Sequence, residues 1–100
     1  MFVLELTYTG PLARVDALLD AHRAWLDEHF AAGTFLAAGR KVPRDGGIIL
    51  AVGAGRAAIE EITATDPFVI GGVCAYRVTE FLATTTAAEL ARIQDELPPA

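Results

Sequence analysis

The chain has little of what ties a sequence to one of the commoner chemistries. It holds one cysteine, Cys74, so no intrachain disulfide can form and an oxidising compartment is not implied. Its longest apolar stretch, around Ile48 to Ala54, falls far short of the ~20 residues that a membrane span requires. The opening Met-Phe-Val-Leu-Glu-Leu has neither the basic segment nor the cleavage site of a secretory signal, and the expectation is a cytoplasmic protein. Basic residues are few. Eight Lys and Arg stand against thirteen Asp and Glu, giving a formal net charge of −5 and a pI near 4.8. Phosphate backbones call for a basic face, and membrane surfaces for a basic amphipathic helix. Neither is visible, so no nucleic-acid or membrane partner is expected. HExxH, CxxC, GxGxxG and GxxxxGK are all missing, and no metal or cofactor is expected. There is no repeat and no low-complexity tract.

What is present is apolar material. The chain has 100 residues, enough for one domain, and 53% of them are hydrophobic, with a mean hydropathy of +0.39. A domain of this size buries only roughly 60–70% of its unfolded surface. One thin core does not need so much, and the surplus predicts a subunit interface, most simply in a homodimer.

The elements follow from periodicity. Phe2 to Tyr8 alternates as a strand and ends at Gly10-Pro11. Leu12 to Ala32 reads as one helix, with Val15, Leu18, Leu19, His22, Trp25, Leu26, His29 and Phe30 on one side and Gly33 as its stop. Thr34 to Gly39 and Ile48 to Val52 read as strands joined by a charged turn containing Asp45-Gly46. A helix is expected from Arg56 to about Ala64, then a break at Asp66-Pro67 with a single helical turn, and a strand from Val73 to Leu82. Thr86 with Glu89 fits a capping box ahead of a last helix carrying Leu90, Ile93 and Leu97. The order βαββαβ predicts an α+β, ferredoxin-like sandwich with helices on one sheet face. The third strand is apolar on both sides, so the uncovered face predicts a second sheet packed against it in a dimeric α/β barrel.

Several residues could carry chemistry. His22 lies mid-helix within the apolar stripe, where it is either a hydrogen-bonded core histidine or a general acid/base facing an enclosed space. Asp66 precedes Pro67, which suits a helix cap as well as a catalytic carboxylate. His29, near the helix C-terminus, suits a dipole contact better than a metal site. Arg40, Lys41 and Arg44 form either a solvated turn or a subsite for an anionic group. Cys74 reads as a packing residue. Tyr8 and Trp25 fit a pocket wall or the core equally well.

Taken together, Ala21-His22-Arg23-Ala24-Trp25-Leu26, Gly33 to Gly39, Pro43-Arg44-Asp45-Gly46-Gly47 and Asp66-Pro67-Phe68 resemble the YciI-like (YCII-related) family over Phe2 to about Phe81. The resemblance implies a domain over residues 1–82 with a helical extension over 83–100, and a ferredoxin-like fold assembled as a dimeric barrel. It also implies a site built from a first-helix histidine and the aspartate of a D-P-F/Y motif, here His22 and Asp66; Tyr8, Trp25, Arg40 and Phe68 are the further candidates for contact with a substrate. Gly39-Arg40 departs from the Gly-Pro that many relatives carry. The function expected is cofactor-free proton transfer, of lyase or isomerase type, on a small organic substrate. The alternative is a non-catalytic dimeric module that binds a small ligand or a partner protein. A cofactor-independent monooxygenase rests on fold analogy alone.

Overall fold

A computed structural model describes residues 1–99. Alternation makes β1 (Phe2–Tyr8), which buries Phe2, Leu4 and Leu6 and turns Val3, Glu5 and Thr7 the other way. The chain then forms α1 (Leu12–Ala17), α2 (Leu19–Ala31), β2 (Phe35–Arg40), β3 (Gly46–Ala51), α3 (Arg56–Ala64), the single turn α4 (Pro67–Ile70) and β4 (Cys74–Glu80). The strands lie in the order β2-β3-β1-β4, and every adjacent pair is antiparallel. This is a mixed α+β domain with the strand order of a ferredoxin-like sandwich.

Leu4, Ile49 and Val78 stand opposite one another across the register, under the helices. Val15, Ile59 and Phe68 close over them, and all three are nearly or fully inaccessible. The bare sheet face is mixed. Val3, Ile48, Leu50 and Ala37 make its apolar half, and Glu5, Arg77 and Thr79 make a polar half toward β4. Lys41 reaches Glu5 at 3.7 Å, at the edge of the polar part.

Two expectations need correction. The first helix is broken at Leu18, whose φ of −102° and ψ of 1° interrupt the α-helical path. Leu18 lies against Gly71, where an added Cβ would stand 2.5 Å from Leu18 Cδ1. The expected C-terminal α-helix is a six-residue 3-10 helix, Ala88–Ile93, with no buried residue. Thr86 does not cap it; its hydroxyl donates to Gln94 Oε1 at 2.9 Å. Without an apolar face to bury, a segment this short gains too little to hold an α-helix. Asp95 secures the extension instead. It accepts from Ala83 N–H at 2.7 Å and lies 3.4 Å from the amino terminus, and these donors hold its carboxyl below the usual carboxylate range.

The β2–β3 hairpin crosses β1 closely at Gly46. A Cβ there would lie 1.8 Å from the Leu6 carbonyl oxygen, which is backbone and cannot give way. Gly46→Ala should therefore lower stability by at least the ~1–3 kcal/mol of an overpacked core, seen as a lower urea midpoint in equilibrium unfolding.

Candidate active site

The cluster begins with Pro67, which keeps Asp66 extended at φ −60° and ψ 126° and starts α4. In that position Asp66 caps the turn, and Oδ1 accepts from Phe68 N–H at 2.9 Å. The same oxygen lies 2.8 Å from His22 Nδ1. The other, Oδ2, accepts from the Tyr76 hydroxyl at 2.5 Å. The cap and the histidine partner are thus one carboxylate, and it is fully buried. Three donors replace the water lost by a buried carboxylate, which would otherwise be very costly to hold there. Burial and the neighbouring Asp66 charge push the Tyr76 phenol well above its ordinary range, so Tyr76 is the donor in that bond. With Asp66 accepting, His22 Nδ1 carries the hydrogen and Nε2 keeps the lone pair.

The imidazole stacks with two aromatic rings. Phe68 stacks on it at 4.0 Å and 7° between ring planes, and Trp25 at 5.6 Å and 29°. Trp25 Nε1 donates to Thr65 Oγ1 at 2.9 Å, which ties α2 to the residue just before Asp66. His22 retains 8% exposure and lines a pocket of about 250 Å³ between α2 and the hairpin. Tyr8, Phe68, Arg23 and Arg40 line this pocket with His22, and Leu19 and Leu26 supply apolar wall.

The pocket therefore contains Tyr8, His22, Arg40 and Phe68 of the residues singled out from sequence, with Asp66 bonded behind His22. Trp25 is not among the lining residues. Its ring is buried against Phe35 at 5.3 Å, because its helix position points to the core beside His22. The basic turn disperses. Lys41 pairs with Glu5 and Asp45, while Arg44 bonds Asp16 and lies over the Tyr8 ring at 5.7 Å. Only Arg40 of the three lines the pocket. His29 joins the aromatic cluster of Trp25 and Phe35. Among the described residues no group of three or more His, Cys, Asp or Glu could hold a metal, and no helix is long and apolar enough to cross a membrane.

Sequence reasoning missed Tyr76 and Arg23. Strand parity was the available signal for Tyr76: it stands opposite Leu6, hence under the helices. Arg23 had none, because a charge beside a helical stripe usually faces solvent.

The profile of the YCII-related domain matches residues 1–82. The chain belongs to the YCII-related family. No curated protein matches it significantly. Among solved structures, this YCII-related chain is similar to 5-chloro-2-hydroxyhydroquinone dehydrochlorinase from Burkholderia phenoliruptrix AC1100, in complex with 2,5-dihydroxybenzoquinone. The TM-score is 0.65 at 19% identity, over 81% of this chain and 93% of that one. At that identity the likeness carries the fold. The YCII-related match ends at residue 82, just where the loop-like extension begins.

Cys74 lies beside the cluster on β4, and burial, reinforced by the Asp66 charge, pushes its thiol up to about 11 from 9.0. A thiol whose folded pKa is raised favours the native state fully below the unfolded value and loses that advantage as pH rises to the folded one. Tyr76 acts in the same direction at still higher pH. Thermal stability should therefore fall between pH 9 and pH 11, and Cys74→Ala should flatten that fall, as read by Tm against pH.

Proposed function

We propose that this protein is a small cofactor-free enzyme that transfers a proton on a small organic substrate held against His22, by lyase- or isomerase-type chemistry. The observation that carries the reading is the buried His22–Asp66 bond at the wall of a pocket: Asp66 occupies one ring nitrogen and leaves the other free to act as base. Nε2 takes a proton from a substrate carbon or hydroxyl. Asp66 and the two stacked rings stabilise the imidazolium that forms. The proton then returns to another substrate atom in an isomerisation. In an elimination from a chlorinated hydroxyhydroquinone, the proton taken from one ring hydroxyl returns to the carbon that bears chlorine; loss of a second hydroxyl proton to His22 then turns that O–H pair into a C=O bond, the ring pair shifts, chloride departs with its own pair, and His22 releases the proton to water. The structural neighbour is named as a dehydrochlorinase, so elimination from chlorinated hydroxyhydroquinones is the reaction to try first. We take the protein to act in the cytoplasm, which a single buried thiol suits.

We also propose that a second copy covers the apolar half of the bare sheet face, around Val3, Ile48 and Leu50, to form the dimeric barrel. The surplus of apolar residues supports this, as does the position of these three on a face that no helix of the same chain covers.

The test of the reaction is turnover across halogenated hydroxyhydroquinones and related small cyclic compounds, followed by halide release and quinone absorbance. His22→Gln should lower kcat by about 10²–10⁴-fold while leaving the circular dichroism spectrum and ligand affinity intact. If the wild-type protein turns over none of these compounds, yet binds one of them as well as His22→Gln does, a non-catalytic binding module replaces the enzyme. For the assembly, Leu50→Asp should convert a dimer to a monomer in light scattering; a wild-type monomer at micromolar concentration would refute the barrel.

A further inference from the structure

The pocket has an electrostatic character opposite to that of the chain. The protein carries thirteen acidic residues and a net charge of −5, yet no aspartate or glutamate lines the pocket, and two arginines do. Arg23 comes from α2 and Arg40 from the end of β2. In the register Arg40 stands opposite Gly47, which in turn pairs with Leu6, so Arg40 lies on the sheet face that the helices cover. Neither guanidinium forms an ion pair or a side-chain hydrogen bond among the described residues, although Asp20 and Asp27 lie within one helical turn of Arg23. Arg44 and Lys41, close in sequence to Arg40, are both paired with carboxylates. Asp66, beside the pocket, is committed to His22, Tyr76 and the Phe68 N–H. Two exposed arginines without a carboxylate partner among the described residues therefore border one small space whose remaining wall is largely apolar.

Resting on the reading of this pocket as the substrate site, we propose that its substrate is a small organic oxyanion, whose charged oxygens lie between Arg23 and Arg40 and whose apolar body reaches His22. Guanidinium groups suit this role, since each can offer two N–H donors to a carboxylate or to a delocalised ring enolate. The arrangement also assists the chemistry. Removing a proton from such a molecule builds further negative charge on the same oxygens, and fixed cations that face the developing charge stabilise it. Arg23 and Arg40 are then specificity-determining residues.

The experiment is calorimetric titration of the intact protein with two matched pairs: benzoate against benzamide, and 2,5-dihydroxybenzoquinone against its dimethyl ether. The variants are Arg23→Gln, Arg40→Gln and their combination, with Arg77→Gln on the bare sheet face as control. The wild-type protein should prefer the ionised member of a pair by about 10-fold or more, and each pocket substitution should weaken anion binding by about 3- to 10-fold, with the ether or amide unaffected. Added salt should narrow the preference. Equal affinity for the charged and neutral members, an unchanged preference in the double variant, or no saturable binding of any of the four compounds overturns the proposal. Anion preference without turnover of any substrate would instead refute the enzyme and leave this site standing. Turnover of a neutral substrate, lost in His22→Gln but untouched by the double arginine substitution, would do the reverse.

Discussion

A carboxylate with no access to water organises this molecule. Asp66 is held by donors from three separate elements: His22 on α2, the Phe68 amide on α4 and the Tyr76 hydroxyl on β4. Each donor satisfies an oxygen that would otherwise be a buried, unpaired charge, and each thereby fixes its own element relative to the others. Losing one partner leaves the rest in a worse state than an apolar core would be, which makes such a network cooperative. Trp25 adds a fourth tie through Thr65, so the segment that precedes Asp66 cannot drift from the helix that carries His22.

The same arrangement accounts for why His22 is suited to handling a proton. Its position on the helix would ordinarily seal it in the core, beside Leu19 and Leu26. The sheet leaves a gap there because the residues beneath it are small: Ala38, Gly39, Gly46 and Gly47 line the pocket floor. At Gly46 a side chain is excluded by the Leu6 carbonyl, so the floor is bare for a backbone reason as well as a side-chain one. A space of about 250 Å³ results, lined by His22, whose Nδ1 is bonded to Asp66. The stacking of Phe68 and Trp25 removes ring rotation, so the free nitrogen keeps one direction.

Much of this was legible in the residues, and the failures have physical causes. β1 and α3 matched their expected limits because alternation in one and the Gly55 to Ala64 pattern in the other coincide with what the fold buries. The break at Leu18 was invisible because no glycine or proline marks it and the apolar period runs through it; packing on Gly71 accompanies it from 53 positions away. The tail showed the opposite failure. Thr86 and Glu89 carry a local helix-start pattern, but local pattern without a face to bury yields only a 3-10 helix. At the site, the His22–Asp66 pairing followed from family resemblance alone, since residues 44 apart give no spacing signal. Asp66 reads locally as a helix cap, and it is one; the local role conceals the long-range one.

Electrostatics connects the two halves of the pocket. Asp66 places a negative charge behind the imidazole, and Arg23 and Arg40 place positive charge along the pocket lining. On the proposed function, a substrate in this pocket sits in a field that draws its proton toward His22 and its electrons toward the arginines. A carboxylate on the pocket wall would cancel that field, and none of the thirteen acids is there. The pairing of Arg44 with Asp16 and of Lys41 with Glu5 and Asp45 has a consequence of the same kind. With these cations paired to carboxylates, only Arg40 of the three basic residues at the hairpin has no such partner among the described residues. Polarity of this kind favours a reaction in which charge moves from a carbon near His22 to an oxygen near the hairpin, which is the direction that proton abstraction next to an oxyanion requires.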